Sequence, residues 1–140
     1  MLILFATGNK HKVSEASAIL SQFGCEVEPL LIRGKAPEII EPQAEGIEEV
    51  AISKVKQARA LVMGTELEGA VILAEDSGLF IDSLGGFPGP YSSYVEKTIG
   101  LHGILKLMSS ESGRVAEFRA VAAVYADGRI ITGTGICKGE

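Results

Sequence analysis

The sequence predicts an α/β domain built on a mixed, mostly buried β-sheet flanked by helices, and three observations lead there. Leu2 to Ala6 and Val71 to Ala74 are short, unbroken apolar runs of the kind found in strands covered on both faces. Between them lie segments whose apolar residues recur at steps of three and four. Ala116 to Ala126 and Arg129 to Ile136 flank Asp127-Gly128, a strong hairpin signal. The resulting order, β-α-β-α-β-α-α-β-β, means an α/β domain with a mixed sheet.

Taken in order, Leu2 to Ala6 is the first strand, broken at Thr7-Gly8-Asn9. Val13, Ala16, Leu20 and Phe23 then mark a helix with one buried stripe, stopped at Gly24. Glu26 to Ile32 reads as a second strand with alternation at Val27 and Leu30, and Lys35 to Gly46, with two prolines and several acids, as irregular. A second helix runs from Ile47 to Val62. Its inner face is Ile47, Val50, Ala51, Val55, Ala58 and either Leu61 or Val62, and Gly64 ends it. Val71 to Ala74 feeds into Glu75-Asp76-Ser77-Gly78, which by composition suits a tight turn, with Leu79 to Ile81 extended beyond it. Leu84 to Pro90 holds three glycines and two prolines and is a loop. Helices follow near Ser92 to Ile99 and Leu101 to Ser109, before the hairpin.

Composition bounds the chemistry. The 140 residues suit about one domain, read here as residues 1–140. Their 46% hydrophobic and 22% charged content is that of a folded globular chain. A net charge of −5 argues against broad binding to nucleic acid, which needs a cationic face. No apolar run approaches the ~18 residues of a membrane span, and the apolar start lacks a basic leader, so a cytoplasmic protein is expected. Cys25 and Cys137 stand apart from any partner at metal spacing, so both are expected as buried free thiols rather than zinc ligands. With only His11 and His102 present, nucleophilic triads have little raw material.

Three segments can carry function. Thr7-Gly8-Asn9-Lys10-His11-Lys12 joins a strand to a helix start, where free amides and the helix dipole favour an anion such as phosphate. The residue types alone favour the simpler alternative, an Asn cap with two solvated lysines. Glu75 and Asp76, at the end of a buried strand, are either turn residues or paired acids that call for a cation such as Mg²⁺. Glu38, Glu41, Glu45, Glu48 and Glu49 lead into the second helix; most suit its first turn, and one could reach a shared metal. Lys54 sits on the border of that helix's apolar side, where lysines snorkel. Phe87 to Tyr91 shapes a loop whose rings pack on a base or on the core.

Together these segments resemble the inosine/xanthosine triphosphate pyrophosphatases. Thr7, Gly8, Asn9 and Lys12 match that family's Thr-Gly-Asn-x-x-Lys, and Glu41-Pro42-Gln43 with Glu48-Glu49-Val50 match its acidic approach to a helix. Asp76 to Leu79 and Leu84 to Ser92 match its Asp-Ser-Gly-Leu and Leu-Gly-Gly-x-Pro-Gly-x-Tyr-Ser stretches, and Tyr91 to Val95 with Gly100 to Leu105 look archaeal. The resemblance implies an inosine triphosphatase-like fold and Mg²⁺-dependent hydrolysis of ITP, dITP and XTP to monophosphate and pyrophosphate. It also implies a homodimer whose partner molecule is a purine nucleoside triphosphate. By position it implies that Thr7, Gly8, Asn9 and Lys12 hold the triphosphate, with Lys54 near the phosphates and Ser77 touching substrate. Glu41 and Asp76 would hold the metal, Asp76 would also be the base for water, and Glu75 would support them. Family members continue with a Phe-Gly-Tyr-Asp-type loop and a Ser-His-Arg motif that read the purine. The sequence reaches Glu140 without them, so the expected domain is C-terminally short and base selection is left open. The alternatives are a nucleotide-binding remnant with little turnover and a related pyrophosphatase acting on modified pyrimidine nucleotides.

Overall fold

A computed structural model describes residues 1–140. Its strands are β1 (Leu2–Phe5), β2 (Glu26–Pro29), β3 (Val71–Ile81), β4 (Ala116–Ala126) and β5 (Arg129–Gly139). Its α-helices are α1 (Lys10–Leu20), α2 (Ile47–Val62), α3 (Ser92–Thr98) and α4 (Gly100–Leu107). The strands form one sheet in the order β2-β1-β3-β4-β5. β1 pairs in parallel with β2 and β3, and β3-β4-β5 is an antiparallel meander.

This order follows from connection rules. The chain leaves β1 through α1 to one side and returns through α2 to the other side of β1. Right-handed crossovers in opposite directions put the two helices on opposite faces of the sheet. The packing agrees with that alternation. Ile3 and Phe5 of β1 join Val27 and Leu73 under Val13, Ala16 and Leu20 of α1. Leu4 points the other way, into the larger cluster with Leu30, Ile72, Ala74, Val121 and Ala123, which Ile47, Ala51, Val55, Ala58 and Val62 of α2 cover. Val27 and Leu30, three apart, therefore serve opposite faces. Ile81, Val95, Ile104 and Met108 close a third cluster at the far end of β3, under α3 and α4.

α2 has the expected bounds, and its inner face includes Val62, fully buried, while Leu61 is exposed. The hairpin turn is also as expected: Asp127 and Gly128 have φ of 49° and 76°, the pair of positive angles that a type I′ turn requires. Four expectations are corrected. Phe23 does not belong to a buried stripe; α1 stops at Leu20, Ser21–Phe23 forms a separate 3-10 turn, and the Phe23 ring is 75% exposed. β2 ends at Pro29, because that proline is followed by the tight turn bridged between Ile32 and Lys35. Glu75-Asp76-Ser77-Gly78 is no turn but the middle of an 11-residue strand, held extended by pairing of Glu75 with Ala122, Asp76 with Val121 and Gly78 with Arg119. The cysteines are free but not buried: Cys25 is half-exposed and Cys137, on the edge strand, exposed.

Candidate active site

The cleft exists because β1 is short and β3 is long. β1 pairs with β3 only from Ile3–Val71 to Phe5–Leu73, with a last bond from the Ala6 amide to the Leu73 carbonyl at 2.8 Å. Past Ala74, that edge of β3 has no neighbouring strand until the Gly89 loop crosses it at Gly78 and Pro88 bridges to Phe80, and side chains from both faces of the sheet reach the gap. This is the carboxyl end of β1, where the chain's connections diverge to left and right, the position at which open α/β sheets hold ligands.

A cleft of about 440 Å³ fills this notch, lined by Thr7, Gly8, Asn9, Lys12, Glu41, Lys54 and Glu75 among others. Lys12 of α1 reaches over one face to Glu75, Nζ to Oε2 2.7 Å. Lys54 of α2 reaches from the other face. Its Nζ lies 2.6 Å from Glu41 Oε1 and 3.3 Å from Asp76 Oδ1, and it donates to the Glu75 carbonyl at 3.4 Å. Asp76 lies beneath, 6% exposed, and its Oδ2 is buried without a hydrogen-bond partner.

One lysine between two acids sets the electrostatics. Burial alone would push the Lys54 ammonium down, but the hydrogen bond to Glu41 and the charges of Asp76 and Glu41 outweigh it and hold the pKa above its ordinary value. Asp76 is shifted upward too: burial dominates, Glu41 adds to it, and Lys54 and Lys12 oppose it only in part. A carboxyl raised by burial and furnished with a free oxygen is suited to take a proton.

At the mouth, Asn9 caps α1: its side chain accepts from the His11 amide at 2.9 Å and the Lys12 amide at 3.4 Å. Thr7 Oγ1 accepts from the Asn9 amide at 3.1 Å. The cap and the ligand-facing loop are thus the same residues. The amides of Gly8 and Lys10 make no bond within the chain and remain for an anion.

The structure brings Thr7, Gly8, Asn9, Lys12, Glu41, Lys54 and Glu75 around one opening, while Asp76 does not line it but is buried behind Lys54. Ser77 does not line this cleft: it is exposed on the α1 side and lines an adjoining groove with Phe5, Ala16 and Ala122 that shares Lys12 and Glu75 with it. Strand alternation explains this, since Ser77 shares the face of Glu75 but lies two residues beyond the notch. Glu38, Glu45, Glu48 and Glu49 do not line the cleft. Three lining residues went unread: Ser93, Glu96 and Lys97 of α3. Their i, i+3, i+4 spacing is the signal that could have found them.

No three His, Cys, Asp or Glu side chains cluster as a complete metal cage. The donor set instead offers two carboxylates, Glu41 and Asp76, on one ammonium. That fits Mg²⁺, which takes one or two carboxylates and completes its shell with water and substrate phosphates. No helix is long and apolar enough to cross a membrane.

A mixed sheet packed on both faces, with a charged cleft at the switch point of its parallel half, defines an α/β protein of the class whose ligand sites lie at strand ends. Residues 3–140 match the Ham1 family, and the chain belongs to it. It is 45% identical over 139 residues to a dITP/XTP pyrophosphatase of Ignicoccus hospitalis, covering 99% of this chain and 69% of the relative. It is 43% identical over 140 residues to a dITP/XTP pyrophosphatase of Pyrococcus horikoshii, again covering 69% of the relative. Among solved structures it superposes on a HAM1 protein from Coxiella burnetii with a TM-score of 0.81 at 25% identity, covering 100% of this chain and 72% of that one. The family resemblance read from the motifs is borne out.

Proposed function

We propose that this protein hydrolyses non-canonical purine nucleoside triphosphates, dITP, ITP and XTP, to the monophosphate and pyrophosphate. The Ignicoccus and Pyrococcus relatives are named dITP/XTP pyrophosphatases. The observation that carries the reading is Asp76 Oδ2, buried and unpartnered, on a carboxylate 3.3 Å behind Lys54, which with Lys12 and Lys97 lines the cleft.

In this reading the Gly8 and Lys10 amides, the Thr7 and Asn9 side chains and Lys12 hold the phosphate chain. Asp76 Oδ2 orients a water and takes its proton as the water oxygen bonds the α-phosphorus. The bond from that phosphorus to the bridging oxygen breaks, and pyrophosphate leaves. Lys54 stabilises the charge of the phosphates and holds Asp76 in place. Glu41 and Asp76 would hold Mg²⁺, which when bound supplies the positive charge that the phosphates need. The charge count supports a divalent cation. Glu41, Glu75, Glu96 and Asp76 face only Lys12, Lys54 and Lys97, and a triphosphate brings about four further negative charges. Positioning and electrostatics supply most of the acceleration.

Residues 1–140 act in this reading as one domain, in a cytoplasmic homodimer. The test is product analysis with dITP, XTP and ATP in the presence of Mg²⁺. Pyrophosphate from dITP and XTP, little turnover of ATP, and loss of activity on chelation are expected. Orthophosphate as the first product, or a preference for ATP, overturns the assignment; dITP bound without turnover would identify a holding function instead.

A further inference from the structure

The segment that carries Glu41 has no regular structure of its own, yet Glu41 must meet Lys54 accurately. What holds it is Gln57, one turn along α2 from Ser53 and Lys54. The Gln57 side chain makes both backbone bonds that a neighbouring strand would make to Ile40: its Oε1 accepts from the Ile40 amide at 2.9 Å and its Nε2 donates to the Ile40 carbonyl at 2.7 Å. Nε2 also donates to Ser53 Oγ at 3.1 Å, which fixes the orientation of the amide group. The Ile40 side chain is 75% exposed, so the grip is on the main chain alone. Ile39, on the other side, packs against the core cluster under α2. The residue next in sequence to the gripped peptide is Glu41, whose carboxylate lies 2.6 Å from Lys54 Nζ.

We infer that Gln57 is a positioning residue for the pyrophosphatase site, clamping the peptide of Ile40 so that Glu41 is presented to Lys54 and to the cation. This rests on the function proposed above, but the clamp makes a claim of its own. A planar amide that gives its oxygen and one N–H to Ile40, with Nε2 also tied to Ser53, holds the segment against both displacement and rotation. A misplacement of about 1 Å at such a group costs on the order of 100-fold in rate, and loss of an outer partner of a metal ligand costs roughly 10- to 100-fold in affinity or activity.

The test uses the intact chain and the variants Gln57→Leu, Glu41→Ala and the double variant. Three quantities are measured: hydrogen exchange at the Ile40 amide, Mg²⁺ binding by calorimetry, and kcat and KM for dITP. Gln57→Leu is expected to speed exchange at Ile40 about tenfold or more and to lower Mg²⁺ affinity and kcat about tenfold or more. The double variant is expected to be no worse than Glu41→Ala, because once Glu41 is gone its placement has no value. Gln57→Glu, which keeps the acceptor but loses the donor, is expected to fall between wild type and Gln57→Leu. Unchanged exchange at Ile40, or losses that multiply in the double variant, overturn the clamp. If the unmodified chain turns over no dITP, the proposed function fails, while exchange and the Mg²⁺ cycle still decide the role of Gln57.

Discussion

Asp76 and Lys54 carry opposite consequences for stability. The folded pKa of Asp76 lies above its unfolded value, so the ionised carboxylate costs stability at neutral pH. That cost is fully present above the folded pKa and is relieved as pH falls towards 3.8, the ordinary value. Asp76→Asn is therefore expected to raise Tm at pH 7, with the gain shrinking in acid, while turnover falls about 1000-fold for want of a base. Retained turnover would remove Asp76 from the reaction. Lys54 is the reverse: its folded pKa is raised above 10.5, so its contribution is whole below that value and is lost as pH climbs through the folded pKa. Lys54→Met leaves Glu41 and Asp76 facing each other and is expected to cost about 3 kcal/mol in urea unfolding at pH 7. The site residues nearest strand and helix ends were legible in sequence because their motif spacing fixes where they fall. Gln57 was not. Its partner is main chain, which leaves no trace in residue types.

Among the elements, β3 is the one most in need of its surroundings. Gly78 lies where the Gly89 loop crosses the strand, and a Cβ there would stand 2.3 Å from the Gly89 carbonyl oxygen. The loop cannot yield, since Ser92 Oγ donates to that same oxygen at 2.6 Å and accepts from the Leu79 amide at 2.8 Å. Gly78→Ala is accordingly expected to cost about 2–3 kcal/mol in urea unfolding, and a near-neutral result would show the crossing to be loose. Phe23→Ser, at an exposed ring, is expected to fall within about 0.5 kcal/mol of the parent by the same measurement. α2 was readable to the residue because a six-residue apolar stripe and a glycine beyond it mark both its face and its end. Glu75 to Gly78 was not, because Asp, Ser and Gly favour turns locally. What overrides them is β4, some forty residues later in the chain, and no local pattern announces that pairing.

Across the whole molecule, one sheet serves two styles of construction, parallel on one side of β3 and antiparallel on the other. The parallel pairing and the switch point follow from the order of the elements, so the general location of the cleft was legible. The depth of the notch, set by how far β3 outruns β1, was not. This asymmetry has a kinetic consequence. The β4–β5 hairpin closes across the two residues Asp127 and Gly128, whereas joining β1 to β3 must first bring together Ile3 and Val71. Loop closure on that scale is slow, and local hairpins form in roughly 1–10 μs. The hairpin side should therefore be structured in the transition state for folding, and the seam between β1 and β3 should come together after it. A nucleotide added during refolding would then leave the folding limb of a chevron plot unmoved and slow only the unfolding limb, because its binding place is among the last parts to be assembled.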